Sequence, residues 1–345
     1  MNQQPSTLPS LFDTLKPAVG PSSSHTLGPM RAGLLFRKRL EAREERTPGE
    51  KIAVTLYGSL AHTGKGHLTD LAVVAGLRGY GPEDLNERSM SALYEEVATT
   101  GVLLLCSGGV VFQPERDIVF DKQTPPSPHP NTLRFILQDW EGRILLSVAY
   151  CSLGGGIVVE GSDLNQIGNV PIRHGISAHD IMQICEQQEE DLVDFALAME
   201  STVYGHSRDE VFTHLLGIWT LMRRAIQRGL TTEGILPGSL RVERRATDML
   251  RRFERQHGTP GVISAESTRA SIYAIAVAEE NAAGGSVVTA PTCGSAGVLP
   301  ACLCIMQEAM HLSDERICQA LLVASVIGEL AIAKASIAGA LVGCQ

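Results

Sequence analysis

KIAVTLYGSLAHTGKGHLTDLAVVAGL, residues 51–77, decides the fold class. Lys51–Tyr57 is a β-branched, apolar run, Thr63-Gly64-Lys65-Gly66-His67 is a turn broken by glycines, and Leu68–Leu77 repeats its apolar residues with a helical period. The order is strand, loop, helix. Upstream, Ser10 precedes a short apolar turn (Leu11, Phe12, Leu15) that stops at Pro17, and a loop over Gly20–Thr26 opens an amphipathic stretch to about Arg46. Downstream, strands are expected at Val102–Leu105, Asp117–Phe120, Leu133–Leu137, Arg143–Tyr150 and Gly156–Val159, with a hairpin turn at Asp139-Trp140-Glu141-Gly142. From about Ser177 the strand signals fade. Helical periods follow at Ser177–Glu200, Arg208–Arg228, Arg241–Arg255, Ala265–Ala282, Gly297–Met310 and Glu315–Leu341. The expected class is α+β: an N-terminal mixed α/β domain over residues 1–160, a linker over 161–176 where Gly, Pro, Asn and Asp concentrate, and an all-helical domain over 177–345.

Composition narrows the function. The 345 residues are 44% hydrophobic and 19% charged, which excludes a disordered chain, and 29 basic against 38 acidic residues leave a net charge of −9. No basic cluster interleaves with aromatics, so neither nucleic acid nor a membrane surface is an expected partner. The first residues show no secretory leader, and the eight cysteines are dispersed without a CxxC, which points to reduced thiols and a cytoplasmic location. Ile317–Cys344 is almost wholly apolar but carries Glu329 and Lys334, which a membrane span would not tolerate cheaply. It reads as a helix covered by protein, and a chain that ends there reads as shortened at its C-terminus.

Two loops carry chemistry. Ser22-Ser23-Ser24-His25-Thr26 precedes a helix, so its N–H and O–H groups can converge on an anion, of which a carboxylate is the natural one; helix capping alone needs a single hydroxyl. The Thr63–His67 turn departs from a phosphate loop, with five residues between Gly58 and Gly64 and Gly66 where a magnesium ligand would stand. Its glycines admit a ligand close to the backbone, and His67 at a helix entrance is placed for a neutral imidazole, the form a general base needs. A surface histidine reads equally well from spacing alone. Gly154-Gly155-Gly156 marks either a close approach or a bend, Glu279–Gly285 and Thr289–Gly297 form a second glycine- and hydroxyl-rich wall, and His129-Pro130-Asn131 reads as structural.

Taken together, GPSSSHTLGP (20–29), LYGSLAHTGKGHLTD (56–70), HPNTLRF (129–135), SLGGG (152–156), EENAAGGSVVTAPT (279–292) and ASIAGALVGCQ (335–345) closely resemble the single-chain iron–sulfur L-serine dehydratases. The resemblance implies a β-type domain similar to the allosteric substrate-binding domain of some phosphoglycerate dehydrogenases, joined to a helical domain. It implies conversion of L-serine to pyruvate and ammonia with a [4Fe–4S] cluster held by three cysteines, one iron left open as a Lewis acid. By the same resemblance His67 is the base for the α-proton, Ser22, Ser23, Ser24, His25, Thr26, Lys65 and Gly66 bind the substrate, and Cys344 is the first cluster ligand. The chemistry is sensible: the α-proton is weakly acidic and hydroxide leaves poorly, so a base and a metal act on opposite ends of one bond. The family's other two cluster cysteines lie beyond Gln345, so the expectation for this chain is two missing ligands, no stable cluster and no turnover. Cys293 stands where relatives commonly have Asn or Ala, and Lys334 and Leu341 replace Asn and Glu. L-serine, and a second copy of the chain in a homodimer, are the expected partners. Two rivals remain: a serine-binding regulatory module without catalysis, and a pyridoxal-phosphate lyase.

Overall fold

A computed structural model describes residues 9–82, 84–85, 89–106, 108–154, 156–163, 176–238, 240–255 and 265–334. Strand β2 (Lys51–Tyr57) buries Ile52, Val54 and Leu56 on one face, the alternation its sequence prescribes. It pairs antiparallel with β6 (Thr132–Gln138) and parallel with β4 (Gly108–Val111) and β5 (Ile118–Asp121). The main path of the sheet runs β3 (Val102–Leu105), β4, β2, β6, β7 (Ile144–Gly154), β8 (Ile157–Glu160), with β5 beside β2. Its buried face packs under α2 (Gly28–Glu41), α4 (Thr69–Leu77) and α5 (Met90–Thr100), with Phe36 stacked on Phe135 at 4.9 Å. Strand β4 and helix α5, neither expected from the sequence, complete this layer; Ser89 caps α5 by accepting from Ala92 N–H.

The second half is built on α9 (Arg208–Thr231), whose Val211, Leu215, Ile218, Trp219, Met222, Ala225 and Ile226 are buried at helical spacing. Around it lie α7 (Ala178–Gln188), α8 (Leu192–Tyr204), α10 (Ala246–Arg255), α11 (Ala265–Ala282), α12 (Val298–Met310) and α13 (Asp314–Lys334). Serines begin two of these helices in reciprocal capping boxes, Ser177 with Asp180 and Ser207 with Glu210. The single helix expected over Ser177–Glu200 is two: Glu189 turns left-handed at φ 55°, and Asp191 starts α8 by accepting from Val193 and Asp194 N–H. The apolar period continues across that break, so periodicity could not show it. Helix α13 buries Ile317, Leu321, Leu322 and Val326, leaves Ile327 exposed, and buries Glu329, which accepts the Thr14 hydroxyl. No described helix is long and apolar enough to cross a membrane.

The chain's first segment joins the two halves. Helix α1 (Leu11–Thr14) is followed by Leu15, and both Leu11 and Leu15 pack in the same core cluster as Trp219 and Leu321. Glu200, fully buried on α8, accepts from Leu11 N–H at 2.7 Å and the Ser10 hydroxyl at 3.0 Å. Strand β1 (Pro17–Val19) then pairs antiparallel with β9 (Ser286–Val288). Neither strand was anticipated; three residues are too few for an alternating pattern to register. This small sheet carries the chain from the helical half to the hydroxyl loop.

Candidate active site

Ser22 caps a π-helical turn over Ser23–Leu27 that runs directly into α2, and all five residues Ser22–Thr26 are buried. Each hydroxyl has a partner. Ser22 Oγ accepts from His25 N–H at 3.2 Å, and Ser22 N–H donates to Thr26 Oγ1 at 3.2 Å. Ser24 Oγ lies 2.8 Å from His25 Nδ1, and Ser59 Oγ lies 2.8 Å from His25 Nε2. Ser23 turns the other way: its hydroxyl donates to Cys293 Sγ and accepts from Cys293 N–H, both at 3.2 Å. Ser23 is therefore a clasp between the loop and the helical half.

His67 belongs to the same assembly. Its ring centroid is 4.8 Å from that of His25, and the Thr26 hydroxyl donates to the His67 carbonyl at 2.7 Å. Thr69, the first residue of α4, returns a bond from its hydroxyl to the His25 carbonyl at 2.5 Å. Leu68, between them, sits at φ 55°, a left-handed conformation that costs a leucine of order 1 kcal/mol and aims the turn at the loop. His67 Nδ1 is 3.0 Å from the Thr63 carbonyl. A carbonyl can only accept, so Nδ1 carries the proton and, in the neutral ring, Nε2 keeps its lone pair.

Burial, reinforced by the neighbouring His67, pushes the His25 imidazole down from 6.5 to about 4, so it is neutral at physiological pH. Below about pH 6.5 the unfolded chain takes up a proton that folded His25 refuses. The stability held in neutral His25 is therefore complete above that pH and is lost as pH falls toward 4, at up to about 1.4 kcal/mol per unit. His25→Asn removes this titration. Urea midpoints followed from about pH 7.5 to 4.5 should fall less steeply in the variant than in the parent, and equal slopes would contradict the buried neutral ring.

The motifs converge. The Ser152 hydroxyl, at the SLGGG motif, donates to the Ser24 carbonyl at 2.8 Å; Asn131 Nδ2 donates to the Ser152 carbonyl at 3.3 Å; Ser59 N–H donates to the Pro130 carbonyl at 3.0 Å. On the helical side, Asn281 Nδ2 donates to the Pro21 carbonyl at 3.2 Å. Other predicted residues stand apart. The Lys65 ammonium pairs with Asp70 and lies 4.9 Å from the Phe120 ring centroid, and no contact joins it to Ser22–Thr26 among the described residues. Gly66 is exposed and a Cβ there would meet only Thr63 O at 3.5 Å, whereas at Gly64 it would lie 2.2 Å from Leu60 O. Gly64 is thus the glycine that the turn requires. Cys344 lies outside the described residues. Ser59, Thr63, Thr69 and Ser152 were given no site role from sequence, although each lies in a motif that was quoted, and Cys293 was noted only as a departure from relatives; their roles come from folding distant segments together.

Two family models cover nearly the whole chain: serine dehydratase beta chain over residues 10–163 and serine dehydratase alpha chain over 173–345. The chain belongs to the serine dehydratase family. Among its relatives is L-serine dehydratase 2 of Escherichia coli K12, 39% identical over 342 residues, a match spanning 97% of this chain and 74% of the relative. L-serine dehydratases of Streptomyces coelicolor and Haemophilus influenzae are 38% and 37% identical over 343 residues, with the same 97% and 74% spans. In this serine dehydratase family member the sheet-bearing half and the helical half correspond to the two fused family models, and residues from both halves meet at Ser23 and Pro21. Among the described residues no three His, Cys, Asp or Glu side chains come together as a metal centre requires, so these residues alone do not fit a cluster.

Proposed function

We propose that this chain acts on L-serine, eliminating water and then releasing ammonia to give pyruvate. The observation that carries this reading is His67, whose Nδ1–H is fixed on the Thr63 carbonyl while Nε2 is left basic beside a buried loop of hydroxyls. In this reading Nε2 takes the Cα proton, the released electron pair forms the Cα–Cβ double bond as the Cβ–O bond breaks, and the departing hydroxide takes the proton back from Nε2 and leaves as water. The resulting aminoacrylate tautomerises to an imine, which water hydrolyses to pyruvate and ammonia. Ser22, Ser24 and His25 receive the substrate carboxylate, with Ser23 and Thr26 holding the loop; Lys65 and Gly66 join the proposal through the resemblance alone. Two carboxylate-seeking groups favour this: the Ser23 and Ser24 N–H groups head a helix that continues into α2.

A [4Fe–4S] cluster, with Cys344 as a ligand, and a cytoplasmic location belong to the proposal through the resemblance. No step is derived through the cluster. The family relatives named as L-serine dehydratases support the substrate assignment. Calorimetry with L-serine and a pyruvate assay after anaerobic iron and sulfide treatment test it. Serine binding with pyruvate formation would bear out the reading and overturn the expectation that missing ligands leave this chain without turnover; serine binding without pyruvate under any metal condition would favour a regulatory module, and no binding together with no pyruvate would reject the reading.

A further inference from the structure

Among the described residues Asn131 has an acceptor with nothing to accept. The residue is 2% exposed, and its Oδ1 is buried without a hydrogen-bond partner among the described residues. The orientation of the amide is fixed: Nδ2 faces the Ser152 carbonyl at 3.3 Å, where an oxygen would be repelled, so Oδ1 is the end left over. Leaving such a group unpaired costs of order 1–3 kcal/mol, a cost that a structural residue has no reason to carry. Its backbone is equally constrained, since Ser152 N–H donates to the Asn131 carbonyl at 3.0 Å and Asn131 N–H donates to His129 Nδ1 at 3.1 Å. Asn281 also has an unpaired Oδ1, but that oxygen is pressed against Gly20, where even a Cβ would come within 2.2 Å of it. There is no room there for a ligand.

The surroundings of Asn131 are those of the candidate site. Ser152, its partner, holds the Ser24 carbonyl, and Pro130, its neighbour, holds Ser59, whose hydroxyl meets His25 Nε2. We infer that Asn131 Oδ1 accepts a hydrogen bond from the substrate's α-ammonium, making Asn131 a substrate-positioning residue; this rests on the reading of L-serine as substrate. A carboxylate offers no proton, which leaves the ammonium and the β-hydroxyl as donors. The hydroxyl brings one proton and can use any of the serine oxygens, which both donate and accept. The ammonium brings three and needs oxygens with no proton of their own to place, and the side-chain carbonyl of Asn131 is of that kind. Held there, the ammonium is one bond from the carbon whose proton goes to His67.

The test is equilibrium binding to the full chain of three ligands: L-serine, L-alanine, which lacks the hydroxyl, and 3-hydroxypropionate, which lacks the ammonium. Asn131→Ala should weaken L-serine and L-alanine about tenfold or more and leave 3-hydroxypropionate within about threefold of the parent. Asn131→Asp keeps an acceptor while losing the donor to Ser152, and should restore the preference for the two amines. Equal weakening of all three ligands would mean that Asn131 only holds Ser152 in place and would overturn the inference. So would weakening of L-serine and 3-hydroxypropionate with L-alanine unchanged, since the acceptor would then serve the hydroxyl. A parent chain that binds none of the three would instead reject the substrate reading on which the inference stands.

Discussion

Replacing His67 with alanine is expected to lower L-serine turnover by about 10²- to 10⁴-fold, the usual contribution of a positioned general base, while L-serine still binds. The ring is held through Nδ1 on the Thr63 carbonyl, and the backbone carbonyl of His67 takes the Thr26 hydroxyl, so the side chain can be removed without removing the bond that ties the turn to the loop. Fold and affinity should therefore survive where catalysis does not. His67→Gln provides the control, because it offers a hydrogen-bonding amide of similar reach without a basic nitrogen, and should be as slow as alanine. Pyruvate release under substrate saturation, measured in any preparation that turns L-serine over, decides the matter. A variant within tenfold of the parent would remove His67 from the reaction and with it the proposed mechanism.

The second large effect is on folding. Gly76→Val should destabilise the protein by about 3 kcal/mol or more. Helices α2 and α4 touch backbone to backbone: a Cβ at Gly76 would lie 2.0 Å from Met30 O, and one at Gly33 would lie 2.7 Å from Val73 O. Neither obstacle is a flexible side chain, so the helices would have to separate. Helix α2 continues the hydroxyl loop and α4 follows His67, which makes this contact the spacer that sets the two halves of the site apart. Urea unfolding near neutral pH should show the loss, with Gly76→Ala intermediate. A Gly76→Val midpoint close to the parent's would show that the helices tolerate a wider separation than the backbone contact implies.

Strand β2, the glycine turn and α4 were legible because each obeys its own period over enough residues to register: alternation in Lys51–Tyr57 and helical spacing after His67. The hydroxyl loop stood out for a chemical reason, since serines in succession before a helix exceed what capping requires, whereas His67 was raised above a surface histidine only by the family resemblance. Strands β1 and β9 were not, because three residues carry no pattern and what stabilises each is the other, far away in sequence. Asn131 was read as structural for the same reason. Its unpaired oxygen exists only once Ser152 has claimed the other end of the amide.

By itself the sequence determined the α+β class, the family, and the two loops put forward as the candidate site, because residue type and short-range period settle local conformation. Tertiary structure alone decided that Ser23 faces Cys293 while Ser24 faces His25, that Lys65 is committed to Asp70, and that the proton of His67 sits on Nδ1. Those are matters of which partner a polar group meets, and the partners lie on segments that only the packing of the sheet, the α2–α4 contact and the β1–β9 pair bring together.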